Sequence, residues 1–118
     1  MHAHDVLDPD VVKSLRQLTP PGEPDVLAEI FNLFLSDVPK RIDALRAAVQ
    51  SGDAARVQRT AHSLKGSSGN IGARAMHEVC RQIDEGAKEG DLHTLQPLVD
   101  TLVGEYQRVE TEIRRLLR

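Results

Sequence analysis

The sequence has few of the residues on which several common protein functions depend. Its single cysteine, Cys80, excludes an intrachain disulfide and a zinc site built from several cysteines. Aromatic residues make up 3% of the chain, too few for the stacking surfaces of single-stranded nucleic-acid binders. The net charge of −3 provides no basic footprint for DNA. No apolar run is long enough to span a membrane, and the N-terminus lacks the apolar segment of a signal peptide. We therefore expect a cytoplasmic protein with an aliphatic core.

The pattern of apolar residues is helical along most of the chain. We find no alternating strand pattern and no internal repeat, and a length of 118 residues suggests one domain over 1–118. The spacing predicts helices at about 8–18, 24–50, 53–70, 73–88 and 91–117. Short connections favour antiparallel neighbours. The predicted fold is all-α, an antiparallel up-down four-helix bundle with a short additional N-terminal helix.

The first and last predicted helices carry more specific expectations. The first helix should begin with Asp8 as its N-cap and Pro9 as its first residue. The residues that it is expected to bury are Val11, Val12, Leu15 and Leu18. The last helix has a sustained three-four spacing of apolar residues, which is also the pattern of a coiled-coil seam.

The third predicted helix contains the most informative residues of the chain. The side chains that share its core-facing direction on a helical wheel are Val57, Ala61, Leu64, Ser68 and Ile71. On the same wheel His62 points about 140° away from Val57, so it should be exposed. Gly66 follows one turn later, where a glycine costs about 1 kcal/mol relative to alanine. The missing side chain leaves the imidazole uncovered, which favours close approach of another protein.

Residues 61–68 (AHSLKGSS), followed by Gly-Ala at 72–73, resemble the signature of histidine-containing phosphotransfer (HPt) domains, the relay modules of two-component signalling. The resemblance covers nearly the whole chain. It implies that His62 accepts a phosphoryl group from a receiver-domain aspartate and passes it to another receiver. It implies that Lys65 offsets charge on the phosphoryl oxygens. It also implies Mg²⁺ on the partner receiver and no cofactor or metal on this chain.

A carboxylate is expected close to the histidine. His62 lies 11 residues before Ala73 and Asp84 lies 11 residues after it, so an antiparallel hairpin places the two at one level. Asp84 either orients the imidazole through one ring nitrogen or is a plain helix-surface carboxylate. Aspartate is shorter than the Gln or Glu frequent in the family, so a water-mediated contact or none is also open. On its helix Asp84 falls beside Cys80, at the edge of the buried stripe. His77 faces the same edge and should be a packing or surface residue. A metal site of His62, His77 and Asp84 has no supporting ligand spacing.

A receiver-docking surface is predicted around the histidine. Its expected members are Gln58, Arg59, Ser63, Gly66 and Gly69. The cations expected to make this side basic are Arg56, Arg59, Lys65 and Arg74, with Asp53 as the main acid. A basic face would complement the acidic pocket of a receiver, and a solvated charged face is the plain alternative.

Three functions fit these residues. The first is a phosphorelay carrier whose partners are receiver domains, with a hybrid histidine kinase as a further partner. The second is the phosphoacceptor domain of a chemotaxis-type histidine kinase, and the third is a scaffold that binds a receiver without transfer. No Gly-rich phosphate loop follows a strand, so we expect no kinase activity and no enzyme. We expect a monomer that binds neither nucleic acid nor membrane, and Met1 with a full set of helices favours a free-standing protein.

Overall fold

The computed structural model describes residues 5–118, so expectations about the first four residues lie outside it. The helices are α1 (Pro9–Arg16), α2 (Val26–Ser51), α3 (Ala54–Asn70), α4 (Arg74–Lys88) and α5 (Gln96–Leu116), with a 3₁₀ turn at Leu92–Thr94. These described residues contain no strand, which confirms the all-helical prediction. None of their helices combines the length and hydropathy needed to cross a membrane.

Aspartate side chains begin the first three helices. Asp8, as predicted, accepts a hydrogen bond from the backbone N–H of Asp10 at 2.9 Å and leads into Pro9. Asp25 caps α2 in the same way, so this helix begins at Val26, slightly later than predicted. Asp53 caps α3, directly after Gly52 ends α2 with a φ of 75°. A left-handed glycine followed by an aspartate thus makes a tight reversal between two long helices.

Prolines explain two errors in the predicted boundaries. The last helix begins at Gln96 and not at 91, because Pro97 has no N–H to donate and is tolerated only in the first turn. The first helix ends at Arg16 and not at 18, because Pro20 has no N–H to donate to the carbonyl of Arg16 and its ring would clash with that carbonyl in a continued helix. Leu18 consequently lies beyond the helix and is 60% exposed, so its predicted burial is wrong, and the other three residues predicted to be buried in this helix are only partly buried.

The core is aliphatic and continuous among the long helices. The third helix packs most extensively against α4 and next against α2, and α5 packs against both α4 and α2. The only ring contact in the described residues joins α2 to α5, with the centroids of Phe34 and Tyr106 6.1 Å apart. Because α5 buries its apolar stripe within the chain, that stripe is a core face and not a free coiled-coil seam.

The segment before α1 packs on the turn between α3 and α4. The backbone N–H of Asp8 donates to the carbonyl of Gly72 at 2.9 Å, and the Asp8 carboxylate pairs with Arg74. Gly72 has a φ of 76°, and a Cβ there would lie 3.0 Å from Val11. Arg74 was expected in the basic face around the histidine, but in the structure it forms an ion pair with the buried Asp8. The contact fixes the turn that sets the register between α3 and α4.

Candidate phosphotransfer site

The imidazole of His62 stands on the solvent face of α3, with 71% of its side chain exposed. The residues predicted to face the core from this helix are all buried, and they are Val57, Ala61, Leu64, Ser68 and Ile71. The helical wheel therefore placed both faces correctly. One turn before the histidine, Gln58 is half-buried and Arg59 is exposed. A ring held in this way is open to a partner molecule while its helix is anchored in the core.

Asp84 of α4 lies beneath the histidine and is buried. Its Oδ2 atom is 3.6 Å from Nδ1 of His62 and 3.6 Å from Nζ of Lys65. Both distances exceed a hydrogen bond, so the contacts are electrostatic. Only 3% of the Asp84 side chain is exposed, which excludes its reading as a helix-surface carboxylate. Within the described residues its Oδ1 atom has no hydrogen-bond partner.

Lys65 connects the histidine's helix to α4 through two different groups. Its ammonium approaches Asp84, and 27% of its side chain remains exposed. Its backbone carbonyl lies 2.9 Å from Nδ1 of His77. A carbonyl oxygen only accepts, so Nδ1 of His77 carries the proton. His77 is thus a packing residue between α3 and α4, and the described residues contain no group of three His, Cys, Asp or Glu side chains arranged for a metal.

The interior below this site is closed to solvent. The hydroxyl of Ser68 donates to the carbonyls of Leu64 and Lys65, at 2.8 and 3.0 Å. Cys80 lies fully buried on the facing side of α4, and burial raises the pKa of its thiol to about 12. The thiol therefore stays protonated and unreactive near neutral pH. The packed interface holds the Asp84 carboxylate at low dielectric, where its charge acts strongly on the Lys65 ammonium and on the imidazole of His62.

The two glycines of the predicted docking surface have different surroundings. A Cβ placed on Gly66 would meet nothing within 4 Å, so the space beside His62 is open. A Cβ on Gly69 would lie 3.1 Å from Nδ1 of His77. Gly66 thus leaves room for a partner molecule beside His62, whereas Gly69 allows the ring of His77 to pack closely against α3.

The opposite edge of α3 faces α2, and sequence reasoning missed its main residue. Arg41 of α2 donates a hydrogen bond to the hydroxyl of Ser63, which precedes Leu64 and directly follows His62. The Nε atom of Arg41 also binds Asp37 at 2.6 Å. The spacing of four between Asp37 and Arg41 was visible as a helical ion pair. Its link to Ser63 crosses between helices and leaves no local signal.

A groove of about 410 Å³ continues along this edge between α2 and α3. We call it the α2–α3 groove, and it is lined by Ile30, Leu33, Phe34, Ser36, Asp37, Val38, Ser67, Asn70 and Ile71. Leu33 lies at the rim of the groove and is 69% exposed, more than any other large hydrophobic side chain in the described residues. An open apolar groove with an exposed leucine at its rim is typical of a protein-binding surface.

Known proteins resemble this chain in both sequence and fold. The Hpt domain family matches residues 29–116. Histidine-containing phosphotransfer protein 5 of Arabidopsis thaliana is 35% identical over 109 residues, covering 86% of this chain and 67% of that protein. The crystal structure of HptB from Pseudomonas aeruginosa PAO1 has a TM-score of 0.87 and 29% identity, covering 96% of this chain and 95% of that one. ZmHP2 from maize has the same fold, with a TM-score of 0.88 at 24% identity, covering 99% and 86%.

The family match runs from near the start of α2 to the end of α5 and includes every residue of the site around His62. Sequence identity and structural similarity point to the same group of proteins. The chain therefore belongs to the Hpt domain family, the phosphotransfer intermediates of two-component phosphorelays.

Proposed function

We propose that His62 is the phosphoacceptor of this chain. Its Nδ1 atom faces Asp84, which leaves Nε2 directed away from that carboxylate. A neutral imidazole is a good nucleophile near pH 7, and Nε2 attacks the phosphorus of a receiver aspartyl phosphate. The observation that carries the proposal is an imidazole 71% exposed, on an anchored helix, beside a buried carboxylate and a lysine.

Lys65 and Asp84 have separate roles in this proposal. Lys65 lies one turn after His62, and its partly exposed ammonium offsets the charge on the transferred phosphoryl oxygens. Asp84 is a positioning residue, because its carboxylate favours a proton on Nδ1 of His62 and leaves the Nε2 lone pair free.

The docking surface that we propose spans both α3 and α2. Its α3 members are Gln58, Arg59, Ser63, Gly66 and Gly69, of which Gly66 offers the open space beside the ring. Arg41 and Leu33 extend it across the α2–α3 groove. Hpt domains interact with receiver domains and hybrid kinases, and Arg41 and Arg59 would meet the acidic phosphorylation pocket of a receiver.

We infer one domain over 1–118, in which α2 to α5 form an antiparallel up-down bundle and α1 covers one end. Short connections and the extensive packing between consecutive helices support this arrangement. The protein acts as a monomeric cytoplasmic phosphocarrier without enzymatic turnover of its own. Mg²⁺ is held by the partner receiver, and this chain needs no metal.

Phosphotransfer from a labelled receiver tests the assignment of His62. Wild type and His77→Gln should take up label that is lost in acid and stable in base, whereas His62→Gln should take up none. His77→Gln is the matched control because His77 binds the Lys65 carbonyl on the same α3–α4 edge. The unfolding free energy of His62→Gln should stay within about 0.5 kcal/mol of wild type, since the side chain is exposed. Label on His62→Gln would show that another residue accepts the phosphoryl group.

A further inference from the structure

The carboxylate of Asp84 is incompletely satisfied in the unphosphorylated protein. It is buried, its Oδ1 atom has no hydrogen-bond partner among the described residues, and Oδ2 makes only 3.6 Å contacts. A buried carboxylate needs positive charge and N–H donors nearby to offset its desolvation. The groups of α3 that face it are the Lys65 ammonium, which is one cation, and the His62 imidazole, which is neutral when it acts as a nucleophile.

Transfer of a phosphoryl group would change this balance. The Nε2 lone pair of His62 forms a bond to phosphorus, the P–O bond to the receiver aspartate breaks, and its electron pair remains on the receiver as a carboxylate. The proton on Nδ1 of His62 is not consumed, so the phosphorylated ring carries a positive charge with its N–H on the side of Asp84. Asp84 thereby gains the cationic hydrogen-bond donor that it lacks before transfer.

We propose that Asp84 keeps Nδ1 of phosphorylated His62 protonated and thereby sets the lifetime of the phosphoryl group on this protein. The proposal rests on the proposed function of His62 and adds a control on how long the phosphoryl group stays there. A protonated imidazole leaves phosphorus as a neutral ring, whereas a ring that has lost this proton must leave as an anion. The carboxylate therefore makes His62 a fast donor and shortens the time for which it stores the phosphoryl group.

Lys65 reinforces the same control because it can move between two anions. Before transfer its ammonium is shared with Asp84, and its remaining exposure leaves it free to turn toward the solvent face. A phosphoryl group on Nε2 offers it several anionic oxygens. When Lys65 moves to them, Nδ1–H of His62 becomes the main partner of Asp84, which strengthens the hold on the ring proton.

The test compares phosphorylated wild type with Asp84→Asn, both prepared from the same labelled receiver. An asparagine retains the size and an acceptor oxygen but removes the charge. Onward transfer to a second receiver should slow about tenfold in Asp84→Asn, and the half-life of its phosphohistidine should lengthen by a similar factor, the change expected when a charge-assisted hydrogen bond becomes a neutral one. Nitrogen-15 NMR at pH 8 should show Nδ1–H on the phosphorylated ring of wild type and its loss in the variant.

Two variants separate this effect from a structural one. Asp84→Glu keeps the carboxylate and should keep most of the fast transfer, while Glu85→Gln, at an exposed neighbour that pairs with Lys88, should behave as wild type. Equal half-lives and transfer rates in wild type and Asp84→Asn would overturn the proposal, as would an unprotonated Nδ1 in phosphorylated wild type. The NMR observation on wild type can still overturn the proposal if Asp84→Asn does not fold. Failure of wild type to take up label would instead contradict the function proposed for His62.

Discussion

The two edges of α3 differ in almost every property that matters for a protein surface. The edge toward α4 is closed, with the Asp84 carboxylate buried beside Lys65 and the ring of His77 filling the space over Gly69. The edge toward α2 is open, and an exposed Leu33 borders a groove of about 410 Å³. His62 stands between them. Charges that act on the reacting ring thus lie on the closed edge, and surface that a partner can cover lies on the open one.

Physical chemistry favours this division. A charge acts most strongly on a reacting ring where water is excluded, which requires a packed interface such as that between α3 and α4. A docking surface must instead be accessible and partly apolar, because its binding free energy comes from surface that a partner covers. The comparison predicts that substitutions on the closed edge change the maximal rate of transfer. Substitutions on the open edge should change the receiver concentration needed for half-maximal rate.

Loss of the lysine charge on the closed edge should have the largest effect. In Lys65→Gln we expect the maximal rate of transfer from a phosphorylated receiver to fall about a hundredfold, as when one preorganised donor is removed from a charged transition state. The half-saturating receiver concentration should change little, because most of the docking surface is intact. Rapid-quench kinetics over a range of receiver concentrations measures both quantities.

Lys65→Arg serves as the control, since it keeps the positive charge at this position. It should recover most of the maximal rate. A rise in the half-saturating concentration alone, with a normal maximal rate in Lys65→Gln, would place Lys65 in recognition and contradict the division between the edges.

An intermediate effect is expected from the exposed leucine of the open edge. In Leu33→Ser the half-saturating receiver concentration should rise about tenfold, a moderate hot-spot effect, with an unchanged maximal rate. Leu18→Ser is a matched control, because Leu18 is also exposed, at 60%, but lies in the connection after α1. Both variants should keep wild-type thermal stability. Equal kinetics of Leu33→Ser and Leu18→Ser would show that the α2–α3 groove takes no part in docking.

The sequence predicted the closed edge better than the open one, and the reason is physical. The exposure of His62 follows from helical periodicity, and the level of Asp84 follows from counting along a hairpin. The burial of Asp84 was left open because its position at the margin of the apolar stripe fits either state. The link from Arg41 to Ser63 depends on how two long helices are rotated against each other, which no local spacing encodes.

The two glycines of α3 also show what the sequence alone does not predict. Both Gly66 and Gly69 were predicted to serve docking, since a sequence shows only that a side chain is absent. The space that each one leaves depends on its neighbours, and for Gly69 that neighbour is His77 from another helix. The difference in free space between Gly66 and Gly69 therefore follows from the folded structure and not from the sequence of α3 alone.

The smallest expected effect is a difference in stability between these two glycines. Gly66→Ala should raise the unfolding free energy by about 0.5–1 kcal/mol, because alanine favours the helix and its Cβ meets nothing. Gly69→Ala should gain less or nothing, since its Cβ would lie 3.1 Å from Nδ1 of His77 and would press on the bond to Lys65. Chemical denaturation measures both values. Equal gains would mean that the His77 ring moves away from the new Cβ at no cost in free energy. The packing between α3 and α4 would then be less tight than its contacts indicate. If Gly66→Ala is more stable yet needs more receiver for half-maximal transfer, the glycine beside His62 is retained for docking at the expense of stability.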